Sequence, residues 1–323
     1  MITVQGLVAT QSHQGEWVSR EVKPPAAGEV CIRIHASGVN RADLMQLKGY
    51  YPPPPGYSDL LGLECAGVIE SVGDGVDGWK PGDAVMALLA AGGFSNRVVC
   101  DVRQLLPLPK GWDMTQGAGF MEAYSTAWLN LYRIGDLQPE ERVLIYAGAS
   151  GVGSAAIQLC NLMDNPVVAV VGSQEKADYC RQLGAQTTVL RDSQCWHKLQ
   201  ALAPFDLLLD PVAGDWLENS VSLLAMDGRL VLIGLMGGRR CELDAATILM
   251  KRIRIQGSTL RGRTVGFKGA LLESMRNQLW QSIGRGQLSP VVDRVFTTEE
   301  IDKAFAWMAN NSNKGKVIIV RSD

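Results

Sequence analysis

A short apolar run, Val143-Leu-Ile-Tyr-Ala147, passes directly into Gly148-Ala-Ser-Gly-Val-Gly153. A helical stretch then leads to a second apolar run, Val167-Val-Ala-Val-Val171. Strand, glycine-rich turn, helix and strand in that order predict a parallel sheet whose first turn cradles a phosphate. In a strict G-x-G-x-x-G turn the middle glycine lets the backbone approach a pyrophosphate. Here the three positions read Gly148, Ser150 and Gly153, with Gly151 added inside. A tight strand-helix corner without a ligand uses the same small residues, but the position of the turn and the second strand after it favour a nucleotide.

The second strand closes with Gly172-Ser173-Gln-Glu-Lys176. An NAD site usually places Asp or Glu at this tip, about 20 residues past the glycines, on the ribose hydroxyls. Ser173 stands there instead, with Lys176 on the same turn and Arg191 at the end of the third strand. Either cation alone reads equally well as a solvated surface charge. Together with Ser173, a hydroxyl and two cations suit a 2′-phosphate and predict NADPH as the cofactor.

A chain of 323 residues is long enough for two domains with buried cores, and a formal net charge of -2 gives no basic footprint for nucleic acid or an anionic membrane. No apolar stretch is long enough to span a bilayer, and Met1-Ile-Thr-Val-Gln-Gly opens without a charged and then apolar leader, so the expected compartment is the cytoplasm. Seven widely spread cysteines without a Cys-x-x-Cys pair read as free thiols. The three histidines lie in unrelated segments, so no metal site is expected.

The first part of the chain reads as short strands with glycine and proline corners: 28–36, 63–72, 83–89 and 94–100. In the first of these, Val30, Ile32, Ile34 and Ala36 alternate with Cys31, Arg33 and His35. This pattern predicts a compact β-barrel. From about residue 124, strand candidates at 143–147, 167–171, 187–190, 205–209, 229–233 and 253–257 alternate with helices that include 152–163, 175–183 and 215–226. Six such units predict a doubly wound sheet with its ligand at the carboxyl ends of the strands. The tail holds an amphipathic helix over 267–283, a strand over 289–296, a capping box from Thr297 to Glu300 and a last strand over 316–320. That is too little for a third core, so the tail is expected to pack on the N-terminal barrel.

The order of barrel, inserted dinucleotide domain and barrel tail, together with Asn40-Arg-Ala-Asp-Leu-Met-Gln46, Gly49-Tyr-Tyr-Pro-Pro-Pro-Pro-Gly56, Gly62-Leu-Glu-Cys-Ala-Gly67, Ala147-Gly-Ala-Ser-Gly-Val-Gly153, Gly234-Leu-Met-Gly-Gly238 and Asn313-Lys-Gly-Lys-Val317, resembles the medium-chain dehydrogenase/reductase superfamily. Within it, the chain looks most like the zinc-independent quinone oxidoreductases of the zeta-crystallin type. The resemblance implies a GroES-like barrel for substrate, formed by 1–123 with 262–323, and an inserted Rossmann domain over 124–261. Zinc alcohol dehydrogenases of the superfamily carry a catalytic Cys in the segment matching Gly38-Val-Asn40 and a His in the one matching Gly62-Leu-Glu64. This chain has Asn40 and Leu63 there, the third ligand position falls near Glu122, and the cysteine-rich lobe for structural zinc is missing. One carboxylate does not hold zinc alone, and without a Lewis acid an electron-poor hydride acceptor is the better substrate.

The resemblance further implies that Asn40, Met45 and Tyr51 line the cleft near the nicotinamide and that Thr126 begins the inserted domain beneath the cofactor. Ser150, Gly151, Val152 and Gly153 would hold the pyrophosphate. Val212, Gly234, Met236 and Leu260 would flank the nicotinamide and its ribose, while Asn311 and Asn313 close from the tail. Ser173 and Lys176 match the family's NADPH signature, whereas many relatives have Tyr at the position of Arg191. Relatives usually dimerise through the sheet edges of the cofactor domain, so the resemblance implies a homodimer, with a tetramer as the alternative.

The expected reaction is hydride transfer from NADPH to a quinone or other conjugated carbonyl. Asn40 and Tyr51 are the catalytic candidates. Tyr51, held by the Pro52–Pro55 run, either hydrogen-bonds the acceptor carbonyl or simply lines the cleft. Two alternatives stay open: reduction of an enone or enoyl-thioester C=C bond on the same scaffold, and a cofactor-bound binding or structural protein of the lens-crystallin kind.

Overall fold

The computed structural model describes residues 1–321. The chain divides into two compact units, one formed by Met1–Ser125 and the residues from Leu260 onward, the other by Thr126–Thr259. Before residue 129 the elements are β1 (Ile2–Ala9), β2 (Gly15–Val22), β3 (Glu29–Val39), α1 (Arg41–Leu47), β4 (Glu64–Val72), β5 (Ala84–Leu88), β6 (Arg97–Asp101), β7 (Leu105–Pro107), α2 (Met114–Ala118) and α3 (Met121–Trp128). The second unit continues with β8 (Val143–Tyr146), α4 (Gly151–Leu162), β9 (Val167–Val171), α5 (Gln174–Gln182), β10 (Thr187–Leu190), α6 (Cys195–Leu202), β11 (Phe205–Asp210), α7 (Asp215–Ser222), β12 (Leu224–Leu232), α8 (Ala245–Lys251) and β13 (Arg254–Gly257). The tail returns to the first unit as α9 (Val265–Gly284), β14 (Val292–Thr297), α10 (Ile301–Ala309) and β15 (Lys316–Val320).

In the first unit the long strand β3 organises the sheet. It pairs antiparallel with β4, with β6 through its first half and with β15 through its last four residues. The sheet order is β14-β15-β3-β4-β5-β7, so the tail strands are built into the N-terminal sheet rather than laid over it. The alternation read in β3 is met on one face, where Val30, Ile32, Ile34 and Ala36 are all buried. Cys31 departs from it and is buried on the opposite face.

The second unit is a six-stranded parallel sheet in the order β10-β9-β8-β11-β12-β13. Every residue of β8 and β9 is buried, which explains their unbroken apolar runs: helices cover a parallel sheet on both faces. Leu144, Val170, Leu208 and Leu230 meet in its core with Phe205 and Leu217. Tyr146 buries its ring there and shares a 2.7 Å hydrogen bond with Ser220.

The fifth strand is longer than its sequence suggests. The helix expected over 215–226 ends at Ser222 and β12 begins at Leu224. Phe205 faces Leu224, and the pairing then shifts so that Leu207 faces Arg229. Asp227, in a left-handed conformation, lies in the shifted stretch, and its polar side chain and Gly228 conceal the strand from an apolar-run reading.

Candidate functional site

The glycine turn follows β8. Ala147 takes a left-handed conformation (φ 52°), and Ser150 caps α4 by accepting the Gly153 N–H at 3.0 Å. The Ser150 hydroxyl is thus turned onto its own helix, and the first-turn amides of Gly151 and Val152 remain helix-end donors, the arrangement that receives a phosphate. A Cβ on Gly153 would lie 2.5 Å from the Ala147 carbonyl oxygen and 2.6 Å from that of Gly148, so only glycine lets α4 pack this closely on the turn.

At the next strand tip, Ser173 caps α5, its Oγ accepting the Lys176 N–H at 3.3 Å. Ser173 is exposed and Lys176 half-buried. Arg191 follows β10, is exposed, and donates its N–H to the Val171 carbonyl at 2.8 Å. β9 and β10 therefore bring Ser173, Lys176 and Arg191 to one end of the sheet. A Cβ on Gly172 would meet no atom within 4 Å, so the space beyond β9 is open. The hydroxyl, the cations and the open tip fit a phosphorylated ribose.

The loops after β11 and β12 lie at the same end. Asp210 is fully buried, and its Oδ1 accepts from Val212 N–H (2.7 Å) and Ala213 N–H (2.9 Å). Burial raises its pKa against those two donors. Gly237 N–H donates to the Val212 carbonyl at 2.6 Å, tying together the loops that carry Val212, Gly234 and Met236, the last of these exposed. Thr126 starts the unit on α3, where its carbonyl accepts from Asn130 Nδ2 at 2.7 Å.

The first unit holds a cluster that the sequence motifs did not announce. Asn40 caps α1, and its N–H donates to Asp43 Oδ2 at 2.7 Å. Its side-chain amide donates to Glu64 Oε1 at 2.9 Å, while its Oδ1 accepts from Lys316 Nζ at 2.7 Å. Lys316 Nζ also donates to Glu64 Oε1 at 2.6 Å and to the Val39 carbonyl at 3.2 Å. Glu64 Oε2 accepts the N–H of Glu122 at 2.9 Å. Arg261 donates to the carbonyls of Ala90 (2.7 Å) and Tyr51 (3.0 Å) and to Gln46 Oε1 (2.7 Å), with its guanidinium 5.4 Å from the centre of the Tyr51 ring. Asp43, Glu64, Lys268, Lys316 and Arg261 are all between 0% and 3% exposed.

Burial dominates the protonation behaviour of this cluster. Asp43 is pushed up to about 7, mainly by loss of water and against the Asn40 N–H, Lys316 and Arg261. Glu122 is pushed up to about 8 by burial and by Glu64, while burial brings Lys268 down to about 8 against the attraction of Glu122. Burial, and then Glu122, raise Tyr51, with Arg261 opposing.

The side-chain amide and carbonyl oxygen of Asn40 are both engaged inside the first unit. Met45 lies half-buried on α1, and its carbonyl accepts from Tyr50 and Tyr51 N–H. Leu260 is buried in the first unit. Asn313 is buried and donates to the Gly315 carbonyl at 2.9 Å, while Asn311 accepts from Arg41 at 2.6 Å, so both shape the turn before β15. Arg261, Lys268 and Lys316 escaped sequence reasoning. Each looks like an ordinary basic residue, and only Lys316 sits in a segment whose motif drew attention.

The donor set does not suit zinc. The Lys316 ammonium already lies on Glu64 and Asn40, so the one carboxylate there is paired with an organic cation and the neutral amide oxygen is engaged as well. Among the described residues no group of three or more His, Cys, Asp or Glu side chains is placed to hold a metal ion. All seven cysteines are unpaired. Among the same residues no helix is long and apolar enough to cross a membrane.

Comparison with known proteins agrees with this architecture. The sequence model of the family described as "Zinc-binding dehydrogenase" matches residues 151–275, and that of the "Alcohol dehydrogenase GroES-like domain" matches residues 26–110. The synaptic vesicle membrane protein VAT-1 homolog of Danio rerio is 30% identical over 338 residues, covering 98% of this chain and 70% of that protein. Quinone oxidoreductase-like protein 2 of Bos taurus is 28% identical over 302 residues, covering 92% of this chain and 86% of that protein. The crystal structure of CurK enoyl reductase is 28% identical with a TM-score of 0.86, covering 99% of each chain.

Proposed function

Because the chain belongs to the medium-chain dehydrogenase/reductase family of oxidoreductases, we propose that it is a metal-independent reductase that transfers hydride from NADPH to a conjugated carbonyl, with a quinone as the preferred acceptor. The observation that carries this reading is the Lys316 ammonium seated on Glu64 and Asn40. A fixed organic cation on those oxygens disfavours metal activation of an alcohol there, so the expected acceptor is itself electron-poor. Ser173, Lys176 and Arg191 would hold the 2′-phosphate, and Gly151 and Val152 amides the pyrophosphate. When bound, the cofactor supplies the hydride from its nicotinamide C4.

Tyr51 is the group in the first unit fitted to the acceptor. Its phenol donates a hydrogen bond to the carbonyl oxygen as negative charge develops there. Arg261 is its positioning residue, fixing the Tyr51 backbone and lying against the ring. A raised phenol pKa keeps the donor protonated through neutral pH.

Reduction of a C=C bond conjugated to a carbonyl or thioester is the second reading, favoured by the similarity to CurK enoyl reductase. Steady-state NADPH oxidation with 1,2- and 1,4-quinones, 2-alkenals and crotonyl thioesters separates the two. Quinones are expected to give the highest kcat/KM. Preference for the thioesters would move the assignment to the second reading, and NADPH binding without turnover on any acceptor would leave a cofactor-bound binding protein. We further propose that two copies pair along β13, one of the two edge strands of the parallel sheet and the one beside the exposed Leu249 and Met250.

A further inference from the structure

The cofactor grip proposed above is divided between two helices of the second unit. Ser150 and the first-turn amides of Gly151 and Val152 belong to α4, whereas Ser173 and Lys176 belong to α5. A dinucleotide that reaches both gains fully from them only when the two helix starts keep a fixed spacing. One chain of hydrogen bonds joins them. The Tyr179 hydroxyl, on α5, donates to Ser154 Oγ at 3.0 Å, and the Ser154 hydroxyl donates to the Ser150 carbonyl at 2.7 Å. The Ser154 N–H donates to the same carbonyl at 2.8 Å, and Ser150 Oγ accepts the Gly153 N–H.

The chain has one consistent direction. A hydroxyl has a single proton to give, so Ser154, which gives its own to Ser150, is left to accept from Tyr179. Ser154 is 3% exposed, which shields the middle of the chain from competing water. Tyr179 stands three residues after Lys176, a spacing that puts both on one face of α5. The next residue, Cys180, is buried, and its Sγ lies 3.2 Å from where a Cβ on Gly148 would be. Helix α5 thus rests directly against the start of the glycine turn. Arg181 donates to Thr188 of β10, the strand that leads to Arg191. All three parts of the grip therefore adjoin α5.

We propose that Tyr179 is a positioning residue for NADPH: through Ser154 it sets the spacing between the pyrophosphate turn and the 2′-phosphate tip. The proposal rests on the NADPH reading above and names the residue that makes the extra phosphate count. Tyr179 touches no part of the cofactor in this scheme and acts through Ser154 and α5. A ligand that engages one tip alone gains nothing from a fixed spacing. A ligand that engages both gains the full preorganisation. Tyr179→Phe keeps the ring and removes only the bond to Ser154 Oγ.

The test titrates apoprotein with NADPH, which reaches both tips, with NADH, which lacks the 2′-phosphate, and with 2′-AMP, which lacks the pyrophosphate. Wild type is compared with Tyr179→Phe, Ser154→Ala and the double variant, and chemical denaturation checks that each is folded. Tyr179→Phe is expected to weaken NADPH roughly fivefold, the usual worth of one neutral hydrogen bond, while NADH and 2′-AMP change less than about twofold. Ser154→Ala should do the same. The double variant should lose no more than either single one, because both substitutions break one chain. Without any ligand, amide hydrogen exchange at Ser154 should quicken in Tyr179→Phe. Equal weakening of all three ligands, unchanged NADPH affinity in folded variants, additive losses in the double variant, or an unchanged Ser154 exchange rate overturns the proposal. Wild-type protein that binds NADH as tightly as NADPH instead removes the cofactor reading on which it rests.

Discussion

Charged and polar groups are used in opposite ways in the two units. At the tip of β9 and β10, Ser173 and Arg191 are exposed and Lys176 is half-buried, and the open space beyond Gly172 keeps them accessible. In the first unit, two acids (Asp43 and Glu64) and three bases (Arg261, Lys268 and Lys316) are buried, and Glu122 is half-buried with its Oε2 shielded from solvent. Exposed charges cost little to maintain but contribute little to folding. Buried charges must balance one another, and their value lies in fixed position and displaced protonation. The same residue types thus stand at an open strand tip, where we propose they grip a ligand, in one unit and form an internal frame in the other.

Substitutions that exchange these roles test the contrast, and the largest effect is expected in the frame. Lys316→Met leaves the Glu64 carboxylate without its cation and Asn40 Oδ1 without its donor, and should cost about 3–5 kcal/mol in chemical denaturation. A loss below about 1 kcal/mol would mean that the pair behaves as a surface bridge. In the apolar sheet core, where no charge is at stake, Leu208→Ala should cost about 2–5 kcal/mol by leaving a cavity. Ser173→Asp combined with Lys176→Ala puts a carboxylate where the phosphate is expected. The ratio of kcat/KM for NADPH over NADH should then fall roughly 10- to 100-fold, with the denaturation midpoint nearly unchanged. Tyr51→Phe is expected to have the smallest effect, lowering quinone turnover about tenfold while NADPH affinity stays within experimental error. Unchanged turnover would reduce Tyr51 to a lining residue.

What the sequence made legible divides along the same line. The Rossmann half was readable because its determinants are local. A fully buried strand reads as an apolar run, the turn needs glycine where Gly153 packs against two carbonyls, and Ser150 and Ser173 cap the helices that follow them. Five of the six strand candidates there fall within a residue or two of β8 to β11 and β13. The frame was not readable, because its members come together only through tertiary pairing. Asn40 and Lys316 are 276 residues apart and meet because β15 pairs with β3. Lys268 has the sequence context of a solvent-facing helix residue, and only the packing of α9 buries it. The β1–β2 hairpin was missed for a related reason. Glu16, Ser19, Arg20 and Glu21 put polar side chains along β2, and its pairing with β1 defines it as a strand.

We propose a phosphate grip at Ser173, Lys176 and Arg191 and, in the first unit, an internal charge frame built on Glu64 and Lys316. Calorimetric titration of chelator-treated protein with NADPH and, separately, with NADH tests this proposal most directly. Saturable binding of NADPH, at least tenfold tighter than that of NADH, is the expected result. Heat with neither dinucleotide, tighter binding of NADH, or NADPH binding that returns only when zinc is restored would contradict it.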